Sequence, residues 1–327
     1  MTSAALRALG VGALVGAGAL AYARLEAESF RLRRVTIPAL PIGQPPLRVL
    51  HLSDLHMTPR RRKLQDWIAS LTELRPDLVV VTGDFLSHAD AVDPVMSALD
   101  PMLDIPGVFV LGSNDYYAPR PINPFTYLSG PSDLHPDRPE LPWPDLVHRL
   151  TESGWHHLPN SATQIIADGR LIDVRGVDDP HIERDNYTAV AGSPSAAADL
   201  SLGVAHAPYL RVVDAMAADG LDLMLAGHTH GGQVRMPGVG ALVTNCDLDR
   251  SRARGLSRQA RPVGTGPVGT GPVGTGPVAT GQTGDGAPRD GADMWLHVSA
   301  GLGTSPYAPI RFACPPEATL LTLTGGG

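Results

Sequence analysis

The sequence predicts an α/β fold, in which short buried strands alternate with amphipathic helices. Residues 78–81 (LVVV) are a continuous apolar run of the kind found in strands that are buried on both faces. Residues 63–74 instead repeat apolar side chains at helical spacing, and Pro76 ends that segment. Polar side chains follow several apolar runs directly, at the strand ends where open α/β sheets bind their ligands.

The remaining elements continue this alternation along the chain. Residues 47–52 are the first predicted strand, and the proline-dense stretch 38–46 before it predicts an extended connector. Asp168-Gly169 is a strong hairpin signal between two further strands. Helices are predicted over 94–103, from 146–150 onward and over 210–218, and strands over 108–111, 164–167, 171–174, 200–205, 221–226, 296–300 and 318–323.

The size and the charge of the chain limit its function. A chain of 327 residues can bury a full hydrophobic core. Its formal net charge of -7 argues against a protein that coats a nucleic-acid polymer, because phosphate binding favours a basic surface. The same charge permits a phosphorylated small molecule as substrate, since bound cations supply positive charge locally.

The N-terminus differs from the rest of the sequence. Residues 8–23 are an uncharged, Ala- and Gly-rich run between Arg7 and Arg24. Their hydrophobicity is marginal for a membrane-spanning helix, which needs about 20 apolar residues. Three interpretations remain open: a membrane anchor, a cleaved signal peptide with a small-x-small site at 21–23, and a helix packed on the domain. More arginines follow the run than precede it, so an anchored domain would be cytoplasmic, whereas a signal peptide implies export.

The chain therefore divides into an N-terminal anchor or signal segment over 1–34 and a globular domain over 35–327. Within that domain, residues 262–281 repeat the unit Pro-Val-Gly-Thr-Gly. Such a segment has no large side chains to bury and cannot offset its ordering entropy, which predicts a disordered inserted loop. The proline-rich stretch over 118–143 is predicted to be an excursion or a lid.

Acidic and histidine side chains follow several of the predicted strands. The candidate metal ligands are Asp54, His56, Asp84, His206, His228 and His230. Carboxylates suit hard ions, and Zn, Mn and Fe also accept imidazole. Each residue alone has a simpler explanation, such as a helix cap or a buried hydrogen-bonded histidine. Together, after apolar runs, they predict a centre for two metal ions, in which Asp84 at the end of a neighbouring strand bridges the pair.

The Asp-x-His, Gly-Asp and Gly-His-x-His motifs at 54–56, 83–84 and 227–230 resemble the calcineurin-like metallophosphoesterase superfamily, in particular its bacterial membrane-associated branch. The resemblance covers 47–323 apart from the repeat. It implies a four-layer α/β/β/α sandwich of two mixed sheets. It also implies two divalent or trivalent ions (Mn, Fe or Zn) as cofactors. The implied ligands are Asp54, His56, Asp84 and His230 for one ion, and Asp84, an Asn, His206 and His228 for the other.

The sequence departs from the family pattern after the third predicted strand. Where the family has Gly-Asn-His followed by Asp or Glu, residues 112–115 are Gly-Ser-Asn-Asp. Aligned without a gap, Ser113 takes the ligand position and Asn114 replaces the catalytic histidine. With a shift of one residue, Asn114 is the ligand and Asp115 stands where the histidine was. We favour Asn114, because an amide oxygen coordinates better than a hydroxyl, and take Asp84, Asn114 and Asp115 as the catalytic candidates.

Four further histidines carry weaker predictions. His181 follows a strand and is a candidate to approach the site, whereas His51 and His297 lie in or near strands and are predicted to be structural. His157 has no clear role.

These observations predict a metal-dependent hydrolase of a phosphoester or phosphodiester that uses a metal-activated hydroxide. A site near a membrane surface favours a phospholipid-like or lipid-linked substrate, and a soluble nucleotide or cyclic phosphodiester is the second choice. Because the family's histidine is missing, the alternative is a metal-binding scaffold with little turnover that acts through a partner. Metal content and turnover of a chromogenic phosphodiester distinguish the two functions.

Overall fold

The computed structural model describes residues 3–121, 138–236, 238–261 and 293–325. The helices are α1 (Ser3–Glu26), α2 (Arg62–Ser70), α3 (Val92–Leu99), α4 (Ser113–Tyr116), α5 (Trp143–Glu152) and α6 (Leu210–Asp219). The strands are β1 (Arg31–Leu40), β2 (Leu47–Leu52), β3 (Leu78–Thr82), β4 (Gly107–Val110), β5 (His156–His157), β6 (Ser161–Ala167), β7 (Arg170–Gly176), β8 (Leu200–Val204), β9 (Leu223–Ala226), β10 (Arg235–Met236), β11 (Gly240–Ala241), β12 (Gly255–Gln259), β13 (Met294–Val298) and β14 (Glu317–Gly325).

Two six-stranded sheets form the centre of the molecule. The first has the order β1-β14-β2-β3-β4-β5, in which only the β14–β2 pair is antiparallel. The second has the order β12-β13-β9-β8-β7-β6, which is parallel in the middle and antiparallel at both ends. Both sheets are therefore mixed, and β10 with β11 forms a separate two-stranded ribbon.

Three apolar layers hold the sheets and helices together. Side chains of both sheets form the central layer, for example Val49 and Val80 on one side and Val174 and Leu202 on the other. Helices α2, α3 and α5 cover the outer face of the first sheet. Helix α6 covers the outer face of the second sheet. The predicted α/β/β/α sandwich is confirmed, and its parallel strands are buried on both faces, as their continuous apolar runs indicate.

Strand β1 corrects the prediction of an extended connector over 38–46. The strand runs from Arg31 through Pro38 to Leu40 and pairs in parallel with β14. Pro38 is tolerated because β1 lies at the edge of its sheet, where one side of the backbone needs no ladder partner. The charged start of β1 and the distance of β14 along the chain explain why local pattern does not predict it. The strand crosses the predicted division between 34 and 35, which stays a prediction.

Helix α1 covers the N-terminal run for which three interpretations were open. No helix within the described ranges combines the length and the apolar character that a membrane crossing requires. The C-terminal end of α1 contacts the domain. The backbone N–H of Arg311 donates to the carbonyl oxygen of Ala23 at 2.9 Å, and the guanidinium of Arg24 donates to the carbonyl oxygen of Pro309 at 3.0 Å.

Two predictions about loops fall outside the described residues. The repeat over 262–281 lies there entirely, and so does the central part, 122–137, of the proline-rich stretch. The predicted disordered loop and the predicted lid therefore stay predictions.

Candidate metal centre

The predicted ligands lie on loops that leave the carboxyl ends of five strands, β2, β3 and β4 in the first sheet and β8 and β9 in the second. Backbone hydrogen bonds join these loops to each other. The N–H of Asp54 donates to the carbonyl oxygen of Gly83 at 3.0 Å, and the N–H of His56 donates to the carbonyl oxygen of Asp84 at 2.8 Å. Because neighbouring parallel strands end at the same sheet edge, side chains that are distant in sequence meet there.

Four of the predicted ligands form one compact buried group. Asp54, His56, Asp84 and His230 each offer one ligand atom, and these atoms all lie within 4.8 Å of one another. The Nε2 atoms of His56 and His230 are 3.2 Å apart, and Nε2 of His56 is 3.5 Å from Oδ2 of Asp84. Bonds of about 2.0–2.2 Å to a shared ion would bring ligand atoms to a similar separation. This group can hold one metal ion.

The remaining histidines adjoin the same carboxylate from the other side. Nε2 of His206 is 3.6 Å from Oδ2 of Asp84 and 3.3 Å from Nδ1 of His228. Nδ1 of His206 lies 2.7 Å from the carbonyl oxygen of Thr82, so this nitrogen donates a hydrogen bond and Nε2 is the ring nitrogen that faces Asp84. Nε2 of His228 lies 3.0 Å from the carbonyl oxygen and 3.3 Å from the side-chain nitrogen of Asn245, and Nδ1 of His228 faces His206. Such carbonyl contacts orient histidine ligands in metal sites.

Of the two ligand candidates, Asn114 is the one that contacts the carboxylate of Asp84. The side-chain amide of Asn114 donates to Oδ2 of Asp84 at 2.8 Å, and the Asn114 backbone N–H donates to Oδ1 at 2.9 Å. A small rearrangement of this amide would present its oxygen to an ion beside Asp84. Because the amide nitrogen faces Asp84 here, the assignment of Asn114 as a ligand stays a prediction.

Asp115 faces the backbone instead of the ligand cluster. One carboxylate oxygen of Asp115 accepts a hydrogen bond from the N–H of Leu86 and the other from the N–H of Gly112, each at 2.9 Å. The side chain is fully buried, and burial, followed by the nearby charge of Asp84, raises its pKa to about 8. Asp115 thus fixes the start of α4, and its predicted catalytic role stays a prediction.

The backbone is unusual at five of the six Asp and His ligand candidates. The φ angles are 51° at Asp54, 43° at His56, 54° at Asp84, 69° at His228 and 48° at His230. Residues with a side chain avoid this left-handed region, and positions held in it cluster at functional sites. The sharp turns that aim these side chains inward are therefore maintained at a cost in stability, and no local sequence pattern predicted them.

Glycine is required where the loops approach each other. At Gly83, where φ is +81°, an added Cβ would lie 2.6 Å from the backbone nitrogen of Gly112 and 2.8 Å from Nδ1 of His206. At Gly112 it would lie 2.7 Å from Nε2 of His206. These separations are too short for non-bonded contacts of a carbon atom. Glycine at both positions therefore lets the loops come close enough for His206 to lie beside Asp84.

Burial and mutual interaction shift the pKa values in this cluster. Burial raises the pKa of Asp54 to about 6 and lowers that of His56 to about 4. Burial is the largest single effect on Asp84 and His206 as well, but the charges and hydrogen bonds around each side chain together outweigh it. As a result, the pKa of Asp84 falls below its ordinary value and that of His206 rises to about 9. Cations would displace the proton on His206, which couples metal binding to pH.

A chain of hydrogen bonds supports Asp54 from the protein interior. Ser53 Oγ donates to Oδ2 of Asp54 at 2.5 Å, and Thr82 Oγ1 donates to Ser53 Oγ at 2.8 Å. Thr82 in turn lies 2.9 Å from Nε2 of His51, whose Nδ1 is 3.0 Å from Nδ1 of His297. This agrees with the predicted structural roles of His51 and His297.

Three further side chains adjoin the cluster. The ring of His181 lies 4.4 Å from that of His228, and its Nδ1 is 3.1 Å from the hydroxyl of Tyr209. Burial lowers the pKa of Arg138, against the attraction of the Asp84 carboxylate, and its buried Nε has no hydrogen-bond partner among the described residues. Arg311 is fully buried behind His230. Sequence reasoning proposed His181 but missed both arginines, because a single arginine in a loop forms no motif.

The residues present fit divalent metal ions. The donor atoms are carboxylate oxygens and neutral imidazole nitrogens, which suit Mn, Fe and Zn. Asp54, His56, Asp84 and His230 are all buried, and their ligand atoms lie within 4.8 Å of one another. A metal-binding role explains this arrangement.

Comparison with known proteins agrees with this geometry. The model of the family described as calcineurin-like phosphoesterase matches residues 47–232, more than half of the chain. An uncharacterised metallophosphoesterase of Bacillus subtilis, YkuE, is 27% identical over 250 residues, which cover 72% of this chain and 78% of YkuE. The phosphodiesterase YaeI of Escherichia coli is 29% identical over 203 residues, covering 60% of this chain and 64% of YaeI.

Another relative and a solved structure are similar over part of their length. A transmembrane protein with metallophosphoesterase domain from Danio rerio is 27% identical over 61% of this chain and 44% of its own length. The NAD nucleotidase NadN of Haemophilus influenzae is 12% identical, with a TM-score of 0.40, over 79% of this chain and 51% of NadN. The chain thus spans about half the length of NadN. On the family match and the buried Asp and His cluster, the chain belongs to the calcineurin-like phosphoesterase family and is a metal-dependent hydrolase of phosphoric ester bonds.

Proposed function

We propose that this chain hydrolyses a phosphoric monoester or diester at a centre of two metal ions. The observation that carries the proposal is the position of Oδ2 of Asp84, which is 3.5 Å from Nε2 of His56 and 3.6 Å from Nε2 of His206. Imidazoles thus approach one carboxylate from two sides. One ion would be held by Asp54, His56, Asp84 and His230, and the other by Asp84, Asn114, His206 and His228.

The bound ions would supply Lewis acidity toward the phosphoryl oxygens and would lower the pKa of an attacking water. The chain's own residues hold the donors in place. The backbone carbonyl oxygens of Thr82 and Asn245 lie within hydrogen-bond distance of one ring nitrogen of His206 and of His228. The opposite ring nitrogens therefore face inward. The hydroxyl of Ser53 instead donates a hydrogen bond to the carboxylate of Asp54 and holds it in place.

We propose that Arg138 takes over part of the role of the missing family histidine. Its charge interacts with Asp84 and His181, and the guanidinium lies 5.6 Å from the ring of Tyr117. A cation at this position would contact phosphoryl oxygens and would favour the negative charge that develops in the transition state. His181, stacked on His228, borders the same space.

For the substrate, we propose a lipid-linked phosphate or a phospholipid-like ester. Helix α1 presents exposed apolar side chains, including Val11, Leu14 and Leu20, which are 60% or more exposed. Exposed apolar surface of this kind marks contact with lipid or protein. The Danio rerio relative is described as a transmembrane protein, which supports a membrane-associated setting. The arginines that follow residues 8–23 favour the cytoplasmic side for the domain. Export remains the alternative, and a soluble nucleotide is the second choice of substrate.

Elemental analysis of the purified protein followed by an activity screen tests this function. The screen compares bis(p-nitrophenyl) phosphate, p-nitrophenyl phosphate, nucleotides, and phospholipids in phosphatidylcholine vesicles. We expect about two equivalents of Mn, Fe or Zn per chain and metal-dependent release of nitrophenol. Metal-loaded protein that turns over none of these esters would support the alternative function, a metal-binding scaffold. Ser113 and Asn114, which stand where the family has Asn and His, are the observation in favour of that alternative.

A further inference from the structure

A basic cavity of about 540 Å³ opens beside the candidate metal centre. Its walls include Arg24, His56, Arg60, Arg61, Lys63 and Thr304. We call it the basic pocket. Its volume lies within the range of about 300–1,000 Å³ that is typical of small-molecule sites. It is contributed by the end of α1, the loop between β2 and α2, the start of α2 and the segment before β14.

The charge of the basic pocket is opposite to that of the whole chain. Four cationic side chains line it, against one carboxylate, Glu28, whereas the chain has a formal net charge of -7. Lys63 is the only lysine of the sequence. Positive charge collected in a concave site focuses the electrostatic potential there and attracts anions. The neighbouring Arg62 belongs to the same run of basic residues but is exposed and does not line the pocket.

Hydrogen bonds to the backbone hold part of this wall in place. The guanidinium of Arg61 donates to the carbonyl oxygen of Leu55 at 3.1 Å, and Nζ of Lys63 donates to the carbonyl oxygen of Glu28 at 2.8 Å. The Glu28 carboxylate lies 3.9 Å from Arg61, and within the described ranges Arg24, Arg60 and Lys63 form no ion pair. The wall is therefore a positioned cationic surface, and a binding group needs to order few of its side chains.

The pocket and the metal centre share a residue. His56 lines the basic pocket, and its Nε2 lies 3.2 Å from Nε2 of His230 and 3.5 Å from Oδ2 of Asp84. A molecule with one phosphate at the metal centre would therefore extend along His56 into the pocket. A phosphoester with no second anion would leave the cationic wall without a partner.

We propose that the basic pocket binds a second anionic group of the phosphate class on the same substrate molecule, at a distance from the ester that is cleaved. The proposal rests on the proposed function and narrows the substrate to esters with at least two phosphate-like groups. Arg24, at the end of α1, lines the pocket, so the same groups on a lipid headgroup would bind below the exposed apolar side chains of α1.

A series of alkane-α,ω-diphosphonates of increasing chain length measures the distance between the metal centre and the second anion site. Each is compared, as an inhibitor of bis(p-nitrophenyl) phosphate hydrolysis by the metal-loaded protein, with the alkylphosphonate of the same length. We expect one length at which the diphosphonate inhibits about tenfold more strongly, because its second phosphonate makes charge-assisted hydrogen bonds. The ratio of the two inhibition constants is taken within each variant, so that differences in turnover and in chelation cancel.

Two variants are compared with the native protein. The Arg60→Ala/Lys63→Ala double variant removes two positive charges from the pocket, and the control Arg62→Ala removes one positive charge outside it. We expect the diphosphonate advantage to fall below about threefold in the double variant and to persist in the control. Equal advantage in the native protein and the double variant, or no advantage at any length, would overturn the proposal. Failure of the proposed function is a different result. In that case the native protein would hydrolyse no ester, even without an inhibitor.

A second readout does not depend on turnover. Because Lys63 is the only lysine, acetylation of its amine is measured at a single peptide by mass spectrometry. We expect the diphosphonate of preferred length to slow this acetylation about fivefold or more and the alkylphosphonate to leave it unchanged. Equal labelling in both cases would contradict the proposal. Addition of the same diphosphonate headgroup on a lipid in phosphatidylcholine vesicles then tells whether a lipid or a soluble molecule is preferred.

Discussion

The guanidinium of Arg311 is fully buried and lies 3.3 Å from Nδ1 of His230. The same nitrogen of Arg311 donates to the carbonyl oxygens of Ala300 and Gly303 at 2.8 and 2.7 Å. One arginine thus joins the segment after β13 to a predicted metal ligand. Because the residue also binds the end of α1 through its backbone N–H, it connects three parts of the molecule.

We expect Arg311→Ala to lower the free energy of unfolding by about 3–5 kcal/mol, since it leaves several buried carbonyl oxygens without a donor. Urea unfolding of chelator-treated protein measures this loss. Metal affinity should fall about 10–100-fold, as it does when a residue that supports a ligand is removed. Arg311→Lys keeps the charge but not the planar array of donors. Its stability and its metal affinity should therefore lie between those of the native protein and of Arg311→Ala. Native-like stability of Arg311→Ala would contradict this role.

Replacing the bridging carboxylate should affect both ions. We expect Asp84→Asn to lose most of the bound metal and to reduce kcat/KM for bis(p-nitrophenyl) phosphate by about 10³-fold or more, because Asp84 adjoins both groups of ligands. Elemental analysis and steady-state kinetics measure the two effects. The control is Asp90→Asn, which makes the same change at an exposed side chain. Full metal content and turnover in Asp84→Asn would show that the assignment is wrong.

Arg138 should act on turnover without holding metal. We expect Arg138→Ala to lower kcat/KM for a phosphodiester about 10²–10³-fold at unchanged metal content, since removing one group that stabilises developing charge costs about that much. Arg138→Lys should recover part of the loss. The exposed Arg62→Ala variant is the control for removing one positive charge. A loss of metal in Arg138→Ala would assign the residue a structural role instead.

The buried pair His51 and His297 should make stability depend on pH. Burial lowers the pKa of His297 to about 4 and that of His51 well below its ordinary value. The unfolded chain therefore binds protons more readily, and stability falls as the pH decreases through about 6.5 toward 4. One histidine whose pKa is shifted this far lowers the free energy of unfolding by about 3 kcal/mol over this pH range.

His297→Asn is the variant for this test, because its amide can still donate to Nδ1 of His51 but does not titrate. Urea unfolding of both proteins, with chelator present, is compared between pH 7 and pH 4.5. We expect the native protein to lose more stability over this range than the variant. Parallel pH profiles would exclude His297 as a source of acid sensitivity.

Local pattern predicted much of the fold because the buried parallel strands, such as residues 78–81, are continuously apolar, and the helices between them have one apolar face. It did not predict β1 or β12: β1 mixes exposed, intermediate and buried positions, and β12 has only intermediate and exposed ones. Such edge strands are stabilised by pairing with β14 and β13, and a pairing partner far along the chain leaves no local pattern.

The choice between Ser113 and Asn114 shows the same limit within the site. Spacing allows either residue as a ligand, and although the Asn114 amide contacts Asp84, the choice of Asn114 stays a prediction. Arg138 and the basic pocket also depend on contacts between distant segments.

The sequence by itself determined which side chains are available for metal chemistry and that they follow buried strands, because apolar periodicity and ligand spacing are local properties. Only the tertiary structure decided which of those side chains face one another, how His51 and His297 support Asp54, and that a cationic cavity borders His56. The physical reason is that distances between strand ends depend on sheet order, left-handed turns and close glycine contacts, which arise only when the two sheets pack together.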